Sequence, residues 1–196
     1  MELARPVRLR VVVVGIPGVG KTTVVDKLVP KVEGARLVTF GSVMFEEARR
    51  RRWVKDRDSL RKLTVERQRR LQRIAAAKIS RMKERTVVVD THLFIRTDEG
   101  FWPGLPHEVV RALKPTHLVL VEARPDEIAA RRAADKLRYR DTVAEKELAE
   151  EIALGRGFLT VSSTLTGAPM MIITNSHGRA DEAAGTIARA LGKAVG

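Results

Sequence analysis

The sequence predicts an α/β fold: a three-layer sandwich with a five-stranded parallel sheet and helices on both faces. Two observations carry this. Strand-length apolar runs (Val11 to Val14, Leu37 to Phe40, Thr86 to Asp90, His117 to Val121 and Met170 to Thr174) alternate with segments of helical period, the pattern that crossover helices and parallel strands produce. The first run feeds directly into Gly15-Ile16-Pro17-Gly18-Val19-Gly20-Lys21-Thr22-Thr23. That stretch fits G-x-x-x-x-G-K-[ST] between a strand and a helix, which places the fold among the P-loop NTPases.

Each element follows from local chemistry. Val11 to Val14 is apolar throughout, as suits a central strand buried on both faces. The helix from Gly20 buries Val24, Val25 and Leu28, and Pro30 marks its end. The second strand stops at Gly41, where Ser42 is expected to cap a helix carrying Val43, Met44, Phe45 and Ala48. From Asp56 to Arg85 the pattern reads as helical throughout, with Asp58 or Ser59 as its cap. Leu63, Leu71, Ile74, Ala75, Ile79 and Met82 fall on one face.

Thr86 to Asp90 is a strand of valines closed by an aspartate. Thr91 to Pro106 has no period and reads as a long, stiff loop, a length that usually signals function. His107 to Leu113 is a short helix, and Pro125 opens the helix that follows the fourth strand. Arg138, Arg140 and Asp141 lie in a brief polar insert. A helix from Val143 to about Thr166, the last strand, and a helix from Ala180 to Leu191 complete the chain.

At 196 residues the chain suits a single domain. It has no cysteine, so disulfides and thiolate zinc sites are excluded and the cytoplasm is the expected compartment. With only strand-length apolar runs and no signal-peptide core, it reads as soluble, without a membrane partner. The net charge of +13 is uneven: 16 Lys/Arg and 4 Asp/Glu lie between Arg49 and Arg85. That block admits RNA as a secondary partner, although Trp53 is the only aromatic residue in it.

The glycine loop turns backbone N–H groups inward around phosphate oxygens, and the helix behind it offers its positive end. Lys21 would reach the β- and γ-phosphates. Thr22, with Asp90 at the end of the third strand, would hold Mg²⁺ accompanying ATP. Arg96 after Asp90, with Arg138 and Arg140 in the insert, supplies fixed cations around a moving phosphoryl group, as a kinase requires. A phosphate acceptor is already ionised, so no general base is needed.

Beyond the glycine loop, several segments resemble the archaeal-type adenylate kinases: Arg57-Asp58 with Arg61-Lys62-Leu63, Leu71-Gln72 with Ala75-Ala76, Asp90-Thr91-His92 with Ile95-Arg96-Thr97, and Pro103-Gly104-Leu105-Pro106. The likeness covers nearly the whole chain. It implies Mg-dependent, reversible phosphoryl transfer from ATP to AMP, giving two ADP, on a sheet of strand order 2-3-1-4-5. It further implies one nucleoside monophosphate kinase domain over residues 1–196, with an AMP-binding part at about 41–85 and a short lid at about 136–141. Arg96 would hold the AMP phosphate near the AMP-side residues Gly41 and Ser42. Arg138 and Arg140 would clamp the transferring group from the lid, and Arg131 would stack on the ATP adenine. A homotrimer is implied as well.

The chain departs from that pattern at Ser42, where relatives usually carry an acidic residue, and at Ala134, where several carry a basic one. The alternatives are another nucleoside monophosphate kinase, or a nucleotide-dependent RNA- or ribosome-associated factor gripping phosphates with the basic block.

Overall fold

The computed structural model describes residues 8–97, 99–134 and 145–193. Its elements in chain order are β1 (Leu9–Val14), α1 (Lys21–Leu28), β2 (Ala35–Thr39), α2 (Phe40–Arg50), α3 (Val65–Ser80), β3 (Thr86–Asp90), β4 (Phe94–Thr97), β5 (Gly100–Pro103), α4 (His107–Leu113), β6 (His117–Glu122), α5 (Pro125–Ala134), α6 (Glu145–Thr166), β7 (Met170–Thr174) and α7 (Ala180–Lys193). Short 3₁₀ turns occupy Val29–Lys31 and Asp58–Lys62.

Five strands form one parallel sheet in the order β2-β3-β1-β6-β7. With the β4–β5 hairpin left out of the count, this is the expected 2-3-1-4-5. Every residue of β1 is buried, because a central parallel strand has helices over both of its faces. α1 packs with α7, while α3 packs on α4 and α4 on α6. The register aligns the strand ends: Thr39 and Val13 both lie opposite Asp90, Val14 opposite Leu120, and Glu122 opposite Thr174. Whatever follows β1, β2, β3, β6 and β7 therefore meets along one edge, where open α/β sheets bind ligands.

Three expectations are corrected. Ser42 is not a helix cap: α2 begins at Phe40, with Thr39 as the capping residue. Phe40 is drawn into the core, so the helix starts a turn early and takes Gly41 into its first turn. The stretch from Asp56 to Arg85 is not one helix either, and neither Asp58 nor Ser59 caps it. Asp56 accepts the Ser59 N–H and hydroxyl at 2.8 Å each, which closes a 3₁₀ turn. Thr64 then caps α3 by accepting the Arg67 N–H at 3.4 Å.

Third, the stretch from Thr91 to Pro106 is no featureless loop. It holds an antiparallel hairpin pairing Phe94 with Pro103 and Arg96 with Phe101. Phe94 anchors it, making an edge-to-face contact with Phe101 at 5.1 Å and a tilted one with Phe158 of α6 at 5.6 Å.

A second, smaller apolar cluster (Ala48, Val54 and Leu71, flanked by Phe45, Trp53 and Leu63) joins α2 to α3. Beside it lies Glu47, fully buried. Its carboxylate accepts from Arg50 at 2.8 and 3.2 Å, from Arg51 at 2.6 Å and from Lys78 of α3 at 2.6 Å. The Arg50 and Lys78 bonds, ahead of that from Arg51, hold its pKa far below the usual carboxylate range.

Because the native pKa is depressed, Glu47 stabilises the fold fully above its unfolded value of about 4.3 and loses that contribution as pH falls below it. Glu47→Gln is expected to cost about 2 kcal/mol at neutral pH, below the usual range for a broken buried pair because the three cations can rehydrate. Urea unfolding at neutral pH measures this, and repeating it in acid should show the gap from wild type closing.

Candidate active site

The phosphate loop leaves β1 at Gly15. A Cβ there would stand 2.6 Å from the Val121 carbonyl oxygen, so only glycine lets the chain pass over β6. Gly20 caps α1 at φ 77°, in the left-handed region that glycine tolerates. The helix start carries no side-chain cap, which leaves its first amides free for an anion.

Lys21 opens α1 and is buried, and its ammonium contacts the Asp90 carboxylate directly. Burial pulls the Lys21 pKa down to about 8 in spite of that carboxylate. Thr22 and Thr23 are exposed in the same turn. Asp90 is carried to the loop by the pairing of β1 with β3, and the next N–H, that of Thr91, donates to Val13 at 3.1 Å.

The back of the loop is braced from three directions. Val19 presents its carbonyl to both Arg131, at 3.1 Å, and the Asn175 amide, at 2.8 Å. Arg131 also donates to the Asn175 carbonyl at 3.0 Å. Arg132 Nε donates to the Pro17 carbonyl at 2.9 Å, and its other arm reaches Glu151 of α6 at 3.2 Å. Glu151 is itself buried.

Arg96, on the hairpin, completes this arrangement. One of its amino groups donates to Glu151 at 3.2 Å and the other to Glu147 at 3.2 Å. Its guanidinium lies 5.9 Å from the Phe101 ring centre. Two arginines from separate segments thus converge on one carboxylate beside the phosphate loop. Ser42 is half-buried, its hydroxyl contacting Arg57, and Gly41 next to it is exposed. Arg138, Arg140 and the segment 136–141 lie outside the described residues.

Arg132 and Glu151 escape a reading of the sequence. Glu151 belongs to an acid-rich stretch of α6 that resembles a solvated face, and its partners are 55 and 19 residues away. The signal available was a second arginine directly after Arg131. Also missed is the bidentate pair of Arg156 with Glu122, at 2.8 and 2.6 Å, which ties α6 to the end of β6.

A strand-loop-helix phosphate cradle, an acidic partner on the adjacent strand and an arginine carried on the following hairpin define a P-loop kinase. Comparison with known proteins narrows this. The family described as AAA domain matches residues 14–149. The adenylate kinase of Methanocaldococcus jannaschii is 46% identical over 178 residues, 88% of this chain and 93% of that protein. That of Thermoplasma acidophilum is 40% identical, covering 93% and 98%, and that of Pyrococcus furiosus 40%, covering 94% and 96%. The chain belongs to the archaeal-type adenylate kinases.

Among solved structures, the shikimate kinase of Acinetobacter baumannii superposes with a TM-score of 0.63 at 17% identity, covering 97% of this chain and 95% of its own. That of Bacteroides thetaiotaomicron gives 0.61 at 16%, covering 96% and 99%. These likenesses concern the fold alone. Among the described residues no helix is long and apolar enough to cross a membrane.

Proposed function

We propose that this protein transfers the γ-phosphoryl group of ATP to AMP, reversibly, giving two ADP, in the cytoplasm. The observation that carries the reading is Glu151. Its carboxylate is gripped by Arg96 and by Arg132, which also touches the phosphate loop, and this supports a phosphate held by the same two arginines between the two substrates.

In this reading the amides from Gly15 to Thr23 cradle the ATP phosphates, and Lys21 leaves Asp90 for the β- and γ-oxygens. Arg96 exchanges Glu151 and Glu147 for the AMP phosphate, near Gly41 and Ser42. Arg131, next to Asn175, faces the adenine, while Arg138 and Arg140 close from a lid at about 136–141 over an AMP-binding part at about 41–85. Catalysis rests on in-line placement and charge neutralisation, since the acceptor oxygen is already ionised.

Thr22 and Asp90 fit Mg²⁺. Among the described residues no group of three or more acidic or His side chains could hold a metal by itself, and Mg²⁺ in such sites takes one or two protein oxygens, with phosphates and water for the rest. When bound, it neutralises phosphate charge. The resemblance to a homotrimer builder has support in the exposed apolar residues Val161 and Leu165 of α6 and Met170 and Ile172 of edge strand β7, and light scattering of the eluted protein gives the stoichiometry.

Incubating the pure protein with ATP, Mg²⁺ and each monophosphate in turn tests the assignment. ADP formation from AMP is expected. Turnover confined to CMP, UMP or a sugar would overturn the acceptor while leaving the fold intact. A pH series adds a second check, because ATP phosphates select the charged amine of Lys21. ATP affinity should be flat between about pH 7 and 8, where the phosphates are ionised and the amine is charged, and fall by up to about tenfold per unit above it. Calorimetry reads this, and Lys21→Arg, which stays charged, should remove the break.

A further inference from the structure

The last turn of α2, the residues after it and the first half of α3 present a predominantly basic surface. Trp53 lies at its centre. The guanidinium groups of Arg51, Arg67 and Arg70 stand 5.5, 5.1 and 5.8 Å from its ring centre. Arg51 shares the single carboxylate of Glu47 with Arg50 and Lys78. Arg67 and Arg70 have no ion pair among the described residues, and neither do Arg49, Arg52 and Arg69, exposed in the same stretches. The acidic residues nearby in sequence are Asp56, which is turned to Ser59, and then Asp58 and Glu66.

This is not a loose charged face. The indole is half-buried on the cluster of Ala48, Val54 and Leu71, and its backbone N–H donates to the Ala48 carbonyl at 2.9 Å. Arg52 takes the left-handed conformation, φ 58°, that turns the chain there. Like charges held together on a rigid support repel one another unless an anion joins them. The stretch lies at the far end of the 11-residue α2, about 16 Å along the helix axis from its start.

We propose that the Trp53 face binds single-stranded nucleic acid. Its phosphodiesters would pair with Arg67, Arg70 and their exposed neighbours, and its bases would stack on guanidinium planes already ordered against the indole. Arginine's planar fork suits phosphate recognition. A bilayer surface is disfavoured, because Val65 is the only large apolar residue of this stretch that is exposed.

The test is anisotropy of labelled twelve-nucleotide oligouridine and oligothymidine, with phosphatidylserine vesicles as the competing surface. If about four phosphates are neutralised, raising salt from about 50 to about 200 mM should weaken strand binding about 50-fold. Arg67→Gln with Arg70→Gln should remove about half of that log–log slope and lower affinity at least about tenfold.

Equal binding by the double variant, no salt slope, or binding to vesicles without binding to either strand would overturn the proposal. Should the double variant fail to fold, Trp102→Phe decides. It leaves Trp53 as the sole indole, whose emission must change when the strand is added. Unchanged emission at saturation refutes the site. Preference between the two oligonucleotides tells whether the strand is RNA or DNA.

Discussion

Lys21→Ala should lower phosphoryl transfer by at least about two orders of magnitude, about 3 kcal/mol of transition-state stabilisation. Lys21 is the cation delivered by the phosphate loop itself, and no described side chain on α1 can take its place: Lys27, at the far end, is exposed and turned to solvent. Steady-state kinetics with ATP and AMP give the ratio. The fall should appear in kcat as well as in kcat/KM, because the charge matters most as the phosphoryl group moves.

Loss of fold is not the expected cause. The native pKa of Lys21, about 8, lies below its unfolded value, so between the two the unfolded chain holds a proton that the native chain lacks, and stability rises with pH across that window. Below it, the buried ammonium carries its full desolvation penalty, and the alanine removes that penalty. Thermal unfolding at neutral pH should therefore stay close to wild type. A large drop would mean that the contact with Asp90 matters more to the fold than to the reaction.

Arg96→Ala should lower kcat/KM for AMP by a similar factor, with the KM for ATP little changed. The selectivity follows from position. Arg96 stands on the hairpin and reaches α6, whereas the residues that brace the phosphate loop are Arg131, Arg132 and Asn175. Arg96→Lys should recover only part of the loss, since an ammonium cannot make the two parallel bonds of the guanidinium fork. If both substrates weakened equally, the arginine would be supporting the loop and not holding the acceptor.

The sheet was legible because its central strands are buried on both faces: runs such as Val87-Val88-Val89 have no other comfortable environment. The phosphate loop was legible because its geometry demands particular residues at fixed spacing. The hairpin was not. β4 and β5 are four residues each, β5 contains Gly100 and Pro103, and neither alternates cleanly, so what holds them is a tertiary contact of Phe94 that no local pattern announces.

The caps failed for a different reason. Asp58, Ser59 and Thr64 all make competent caps, and the choice among them was decided by the turn that Asp56 closes on Ser59. Glu151 and Arg132 needed the fold outright. Each is an ordinary helix residue until α5, α6 and the hairpin are brought together.

The carboxylate of Glu151 has one further consequence. Because it already satisfies Arg96 and Arg132, the resting site has little need of mobile ions from the buffer, and in the proposed reaction AMP would exchange one fixed anion for another. Nucleotide affinity should therefore change with ionic strength far less than the number of arginines suggests. In that reaction the cost of prising the carboxylate away would be met afresh in every cycle, and it would favour release of the acceptor-side product once transfer is complete.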